Sequence, residues 1–582
     1  MTPVCRIRRG LPAAILLAAV TAAGCSKDRS SAPYSALLVT FDTTRADALG
    51  CYGREPAVTP NLDLLAREGT LFERAYAVAP STLPSHASML TGLYPIRHTV
   101  RHNGLKPLPQ SARTLAETAK EKGFDTAAFV GSVVLADAFG LDQGFDVYDQ
   151  PKQAARAGTT HFGERPASYV IDSALAWLER RDREKPFFLW VHFFDPHAPY
   201  SPPAELRAGG TAGEHYLGEI AFADRELGRL FDALRKQDLF ERTAVLAVAD
   251  HGEAFGEHGE STHGTYCYEP TLRVPLVLRL PGGQRGVRAR ALASSVDVFP
   301  TLSEAMGLPL PPADAIDGVS LLAAPRDGGI YFESYYAWHA YGWSPIAGWL
   351  DERGKYIHSS TPELFDLASD PLEERDLAAG GDTSAHEAAI AALAARPALA
   401  SGGGNGIDES LQQKIRGLGY AGVEDAKTEE PHPLAPTDRP SPAQRIQEHQ
   451  RINEAMGLLN KGRHVEAGAL FDLVLAADPG NREALELGSA CWIEAGRYAE
   501  AIPLLERIVA SGRAHAPTHY NLGVALSERG RTDEAITAYR RALELAPDEP
   551  RVIQGLAPLL RRQGRADEAS ALEARLRKRK GS

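Results

Sequence analysis

Between residues 35 and 425, short apolar runs alternate with amphipathic stretches. Ala36–Phe41, Thr126–Val130, Phe187–Phe194 and Ala244–Ala249 are apolar almost throughout, and Val274–Leu280 is a fifth run. Such runs, too short for buried helices, predict strands covered on both faces. The intervening segments Pro60–Glu68, Ala112–Lys122 and Tyr169–Arg180 predict helices. Alternation of the two predicts an α/β unit with a mostly parallel sheet flanked by helices. After residue 330 the pattern changes. Ile330–Tyr336 and Gly348–Ser359, with Glu352-Arg353-Gly354 as a turn, predict a small antiparallel subdomain.

The C-terminal part repeats. Gly-Arg occurs at 462, 496, 530 and 564, and Glu-Ala at 466, 500, 534 and 568, so both motifs recur every 34 residues in one register. That period, with helix–turn–helix patterning, resembles the tetratricopeptide repeat and implies an all-α solenoid over 445–580 that binds proteins or peptides. Alanines at 467, 501, 535 and 569 let paired helices approach closely. Arg513 stands where an inter-repeat proline is expected, and Ser489 where the next repeat has Gly523. Residues 424–444, rich in Pro, Glu, Asp and Thr, predict a solvated linker. The remaining divisions are a signal over 1–24, a core over 34–325 and its C-terminal subdomain over 326–423.

Composition narrows the function classes. The chain has 582 residues and a net charge of −12, which argues against nucleic acid as a partner. Five cysteines, at 5, 25, 51, 267 and 491, include no Cys-x-x-Cys pair and make neither a disulfide framework nor a cysteine zinc site. Arg6, Arg8 and Arg9 precede the apolar stretch Leu11–Ala23, which is too short to span a bilayer comfortably. Ala22-Ala23-Gly24-Cys25 then resembles a lipoprotein signal, implying lipidation of Cys25 and a membrane tether; the alternative is an ordinary secretory signal cleaved near Gly24. Both readings export the chain to the cell envelope, as a periplasmic or outer-membrane protein.

Three predicted strands end in polar residues: the first at Asp42, the third major run at Asp195-Pro196-His197, and the fourth at Asp250-His251-Gly252. In open α/β sheets, ligands bind at the carboxyl ends of strands. Asp42, Asp250 and His251 therefore form a candidate site for one divalent cation: carboxylates suit calcium, magnesium or manganese, and the imidazole admits zinc or manganese. A fourth segment, Ser81-Thr82-Leu83-Pro84-Ser85-His86, predicts a helix start with Pro84 at the first helical position, leaving Thr82 near an anion-favouring N-terminus. A hydroxyl there, beside a metal, can act as a nucleophile. The plainer reading makes Thr82 a cap and each aspartate a turn former.

The stretches VTFDTTRADALGCYG, TLPSHASMLTGLYP, HFFDPHAPY, ADHGEAFGEHG and THGTYCYEPTLRVPLVL, in that order, resemble the sulfatase family of the alkaline phosphatase superfamily. SVDVFPTLSEAMGLP, PELFDLASDP and KIRGLGYAG resemble its later landmarks, so the similarity covers about 35–425. The resemblance implies a metal on Asp42, Asp250 and His251 (calcium, manganese or zinc), a nucleophile at Thr82, and histidines on the leaving group and the anion. Those histidines map to His197 or His192, and to His263. His98, Arg101, His102 and Asn103 follow as potential anion contacts, whereas Arg45 and Asp47 read as a structural pair.

The departures are informative. Sulfatases carry Cys or Ser in C/S-x-P-x-R for conversion to formylglycine; this chain has Thr82-Leu83-Pro84-Ser85-His86, so no formylglycine is expected and His86 replaces the arginine. The family's Gly-Lys-Trp-His aligns with Val130-Gly131-Ser132-Val133, and its second aspartate with Thr43. The expectation is a sulfatase-like hydrolase of sulfate or phosphate esters, with catalytic Thr82, His86, His197 and His263 and substrate-binding His192 and Asn103. The alternatives are a phosphoethanolamine-type transferase or phosphodiesterase, and an inactive sulfatase-fold scaffold working through its repeats. A direct threonine nucleophile favours phosphorus over sulfate release.

Overall fold

The computed structural model describes residues 33–151, 164–207, 209–323, 325–400, 411 and 429–580. The signal, Cys25 and KIRGLGYAG lie outside these residues. No helix among the described residues is long and apolar enough to cross a membrane.

An eight-stranded sheet organises the first part of the chain. Its strands are β1 (Ser35–Phe41), β2 (Thr70–Tyr76), β3 (Asp125–Val130), β4 (Val147–Asp149), β5 (Phe187–Phe193), β6 (Thr243–Ala249), β7 (Leu276–Arg279) and β8 (Val287–Ser294), in spatial order β4-β3-β5-β1-β6-β7-β2-β8. β1, β5 and β6 are buried at every position, which is why they read as unbroken apolar runs. β1 pairs in parallel with β5 and β6, and Phe41 lies opposite both Phe193 and Ala249. That register brings the ends of three strands, distant in sequence, into one row. β7 runs antiparallel to β6 and β2, the exception to an otherwise parallel sheet.

Helices cover both faces. Pro60–Glu68 matches its predicted span, and Leu115–Glu121 is entered through a capping box between Thr114 and Glu117. Ala167–Arg180 begins close to its predicted start, and the longest helix, Ala212–Lys236, is also started by a capping box, from Thr211 to Glu214. Thr82–Thr91 is buried along its whole length. Here the expected position of Pro84 is corrected. Ser81 is the N-cap, Thr82 the first helical residue and Pro84 the third; proline is tolerated there because the first N–H groups of a helix have no intrahelical acceptor. A second, antiparallel sheet follows: β9 (Ile330–Ser334), β10 (Ile346–Asp351), β11 (Gly354–His358) and β12 (Glu363–Phe365), in order β12-β11-β10-β9. The turn at Glu352-Arg353 is the predicted one, and Glu333 N–H ties β9 to the carbonyl of Val78 at 2.9 Å, just ahead of the Thr82 helix.

The repeats are antiparallel helix pairs from Ile446–Leu459 to Ala566–Lys580. Each part of the repeated motif has a physical role. Gly462, Gly496, Gly530 and Gly564 all sit at φ between 68° and 75°, the left-handed turn between paired helices. The arginine after each glycine pairs with the glutamate three residues on. Ala467, Ala501, Ala535 and Ala569 are fully buried where the helices meet.

The described part of the expected linker, 429–444, is partly exposed but is bonded to the α/β unit along its length. Glu430 pairs with Lys106 at 3.0 Å, Tyr335 donates to the carbonyl of Pro431 at 2.9 Å, and Arg439 to that of Gly342 at 2.7 Å. Ser441 meets Ser359 at 2.9 Å. The segment is a strap along the α/β unit, and its polar composition serves these specific bonds. The array docks on the same side. Trp343 Nε1 donates to Asp478 at 2.7 Å, and Arg482 donates to the carbonyl of Trp338 at 3.0 Å. Ala337, Tyr341 and Trp343 join the apolar core of the repeats.

Candidate active site

The row at the ends of β1, β5 and β6 is where the predicted residues converge. Asp42 N–H donates to the carbonyl of Phe193 at 2.9 Å, and Asp250 N–H to that of Phe41 at 3.1 Å, so main-chain bonds fix both aspartates. Asp42, Thr82, Asp250 and His251 are fully buried. Ligand atoms of Asp42, Asp250 and His251 lie within 4.8 Å of one another.

Hydrogen bonding sets which atoms remain free. Asp250 Oδ1 accepts from His251 N–H at 2.7 Å and Thr43 N–H at 3.2 Å. Its Oδ2, like Oδ1 of Asp42, has no partner among the described residues. His251 Nδ1 is 2.9 Å from the carbonyl of Gly252, which makes it the protonated nitrogen and leaves Nε2 with a lone pair. That Nε2 lies 3.6 Å from Asp250 Oδ2 and 3.8 Å from Asp42 Oδ1. Burial pushes both carboxyls above their ordinary range and holds His251 neutral. Two unsatisfied carboxylate oxygens and one lone pair, buried together, fit a divalent cation, since burying such oxygens uncompensated is costly. Thr43 is no ligand: it sits at φ 48° with its hydroxyl on the carbonyl of Pro196 at 2.7 Å.

Thr82 is brought to this cluster by its helix. Its Oγ1 is 3.3 Å from Asp42 Oδ2 and 3.4 Å from His251 Nε2. Asn103 accepts from Leu83 N–H at 2.8 Å, and its Nδ2 has no partner among the described residues. His86, one turn further along the helix, has Nδ1 2.8 Å from the carbonyl of Thr82 and 3.7 Å from Asp250 Oδ2. Burial and then the neighbouring His192 lower it to about 3, so a neutral imidazole stands where the sulfatase motif has a permanent cation.

His192, expected at the substrate, faces Asp42 instead. Its Nδ1 accepts from Gly131 N–H at 3.3 Å, which puts the proton on Nε2, 3.4 Å from Asp42 Oδ2. His86, His192 and Asp250 also lie within 4.8 Å of one another, but the nitrogen that His192 turns toward them carries its proton. Asp195 is withdrawn from the chemistry: both its oxygens accept from Ala167 N–H at 3.0 Å, at the start of a helix. Arg101 is likewise no anion contact, because Glu333 takes its guanidinium at 2.7 and 2.6 Å. His98 bonds Ser88 at 2.9 Å, and Arg45 pairs with Asp47 at 2.8 Å.

The two remaining histidines stand together. His197 has Nδ1 2.6 Å from the carbonyl of Ala198, and its ring centroid is 5.1 Å from that of His263. Burial brings His197 down to about 4. Burial would do the same to His263, but the Glu253 carboxylate, 3.0 Å from Nδ1, outweighs it and raises the imidazole above its usual value. Tyr200 holds the other Glu253 oxygen at 2.9 Å. Sequence reading missed Glu253 and Tyr200; the available signal was the acidic residue three positions after Asp250 in ADHGE.

The fold and this buried carboxylate–imidazole cluster at the carboxyl edge of its sheet define a sulfatase-fold hydrolase. Residues 35–308 match the sulfatase family model, and residues 487–550 and 526–581 match tetratricopeptide repeat models. The chain thus carries a sulfatase-family domain of the alkaline phosphatase superfamily followed by tetratricopeptide repeats. It is similar to an uncharacterized sulfatase of Escherichia coli K12, 25% identical over 415 residues, which span 59% of this chain and 82% of that protein. It is also similar to an arylsulfatase of Clostridium perfringens, 25% identical over 435 residues, covering 59% and 89%. Among solved structures, the phosphonate monoester hydrolase of Agrobacterium radiobacter aligns with a TM-score of 0.50 at 25% identity, covering 60% of this chain and 93% of that one.

Proposed function

We propose that the protein is a metal-dependent ester hydrolase in which the Thr82 hydroxyl is itself the nucleophile, with phosphate esters favoured over sulfate esters. The observation that carries this is the placement of Thr82 Oγ1, at a buried helix N-terminus, 3.3 Å from Asp42 Oδ2 and 3.4 Å from His251 Nε2. Asp42, Asp250 and His251 would hold the cation. When bound, the cation would supply Lewis-acid polarisation, lowering the proton affinity of a nearby hydroxyl and offsetting negative charge.

The chain's own residues account for the rest. Thr82 gives up its hydroxyl proton to solvent before the first turnover and Oγ attacks phosphorus; the Thr82 O–P bond forms as the bond to the leaving oxygen breaks, and hydrolysis of that bond returns Oγ without its proton for the next cycle. His263, whose proton affinity the Glu253 carboxylate raises, gives its proton to the departing alkoxide. Water then attacks phosphorus, the Thr82 O–P bond breaks, and His263 takes a proton back from that water. Asn103 Nδ2, which has no hydrogen-bond partner among the described residues, would face the anion, and His192 stands beside Asp42. A threonine lacks the route by which a formylglycine hydrate sheds sulfate, and this favours phosphorus. The likeness to a phosphonate monoester hydrolase, and to a multifunctional alkaline phosphatase superfamily protein of Trinickia caryophylli at 26% identity, supports the same preference.

The repeats are read as a docking array for a protein or peptide, and Cys25 as a lipid anchor placing the enzyme at the cell envelope. The test of the chemistry is turnover of paired aryl phosphate diester, monoester and sulfate esters with manganese, zinc or calcium, for the native chain and Thr82→Ala. The reading requires phosphate-ester turnover that Thr82→Ala abolishes; sulfate preference or an unaffected variant contradicts it.

A further inference from the structure

The first helix of the repeat array, Ile446–Leu459, lies against the turn that carries His263. His449 and Asn453 stand one helical turn apart on the same face. His449 Nε2 is 3.1 Å from Thr265 Oγ1, and Asn453 Nδ2 donates to Ser261 Oγ at 3.1 Å. Ser261 and Thr265 are the residues two before and two after His263. Ile446 closes the contact from the same helix: a Cβ added to Gly259 would fall 2.2 Å from Ile446 Cγ2, so only glycine lets the turn sit this close. Tyr266 donates to the carbonyl of Pro442 at 3.3 Å and meets the His449 ring edge-on at 5.3 Å.

The turn needs such support. Gly256, His258, Gly259 and Gly264 all have positive φ, at 119°, 51°, 79° and 102°. His258 holds this conformation against its own Cβ. On the inner side, Glu260 accepts from the N–H groups of Thr265 at 2.9 Å and Tyr266 at 3.3 Å, while the imidazole of His263 reaches Glu253. Irregular segments like this one open locally unless neighbouring elements pin them; here Ser334 of β9 donates to the carbonyl of Gly264 and His258 Nε2 meets that of Leu372 at 3.0 Å, while the first repeat holds the residues on either side of His263.

We propose that the first tetratricopeptide helix is a positioning element of the hydrolase: through His449 and Asn453 it fixes the turn that aims His263 at the leaving group, so the array forms a wall of the active site. This rests on His263 being the leaving-group acid. General acid assistance matters most when the leaving group is poor. The experiment therefore compares kcat/KM for a 4-nitrophenyl and a phenyl ester of the same acid, using the full chain with its metal and the His449→Ala/Asn453→Ala double variant. His263→Ala sets the reference, and thermal melts check folding.

The expected result is that the double variant follows His263→Ala, losing about tenfold or more on the phenyl ester with far less loss on the 4-nitrophenyl ester, and that His449→Gln, which keeps a hydrogen-bonding nitrogen, largely restores the ratio. A general loss of folded protein would lower both substrates equally. If the helix variants do not fold, Ser261→Ala/Thr265→Val removes the same bonds from the turn and replaces them. A folded wall variant that keeps the native ratio, while His263→Ala shows the bias, overturns the proposal alone. His263→Ala without the bias removes the acid reading and the proposal with it.

Discussion

His263 Nδ1 lies 3.0 Å from Glu253 Oε1, and this carboxylate outweighs burial and raises the imidazole above its usual value. Glu253→Gln keeps the shape and a hydrogen-bond acceptor but removes the charge. We expect kcat/KM to fall roughly 10- to 100-fold on esters with poor leaving groups, with a smaller effect on 4-nitrophenyl esters, as for partial loss of general acid catalysis. Steady-state kinetics on the two esters decides it; equal losses on both would make Glu253 a structural residue.

The cation account predicts linked loss of activity and stability. A cation at about a hundredfold excess over its dissociation constant adds roughly 2.7 kcal/mol to the folded state. Chelation should abolish turnover and lower Tm, and readdition of metal should restore both. Asp250→Asn should remove the metal-dependent part of Tm. A Tm indifferent to chelator in the native chain would contradict the ligand assignment.

His192→Ala tests the reassignment of that residue. Because its Nε2 stands 3.4 Å from Asp42 Oδ2 without a formed hydrogen bond, its loss should weaken metal affinity by up to about tenfold, the lower end of the effect of removing a neighbour of a ligating carboxylate, with KM for substrate at saturating metal nearly unchanged. A raised KM at saturating metal would return His192 to the substrate.

A pH effect is expected at the junction of array and catalytic unit. Burial, then the nearby Glu486, raises Glu483 to about 8, and its Oε2 has no partner among the described residues. A carboxyl raised in the folded state binds its proton more tightly there than in the unfolded chain. Its contribution is complete below the ordinary glutamate range and lost as pH rises toward 8. Glu483→Gln should flatten the fall in Tm between pH 5 and 8. An unchanged slope would mean that other groups set it.

Much of this site was legible in the chain because β1, β5 and β6 are buried on both faces. Their apolar runs stop at Asp42, His192 to His197 and Asp250, and the parallel register lines up those ends. The 34-residue repeat was legible because a left-handed glycine, an Arg–Glu pair and a buried alanine each demand one residue type. β2 and β8 escaped notice: both carry charges at intermediate or exposed positions, so no apolar run marks them. The hydrogen bonds that tie 429–444 to the α/β unit were not legible, because Pro- and Glu-rich composition describes a solvated chain and a hydrogen-bonded one alike. Glu253 and the His449 and Asn453 contacts join elements distant in sequence, and no local spacing announces them.

In the proposed reaction Thr82, unmodified, forms the covalent link to substrate. The most direct test mixes the metal-loaded enzyme with an aryl phosphate ester, quenches in acid within the first turnovers, and locates the modification by mass spectrometry of the peptide containing residue 82. The account predicts a phosphoryl-bearing Thr82 in the native chain, a like adduct on serine in Thr82→Ser, and neither adduct nor turnover in Thr82→Ala. A turning-over enzyme whose Thr82→Ala variant is equally fast, or whose adduct sits on another residue, would contradict it.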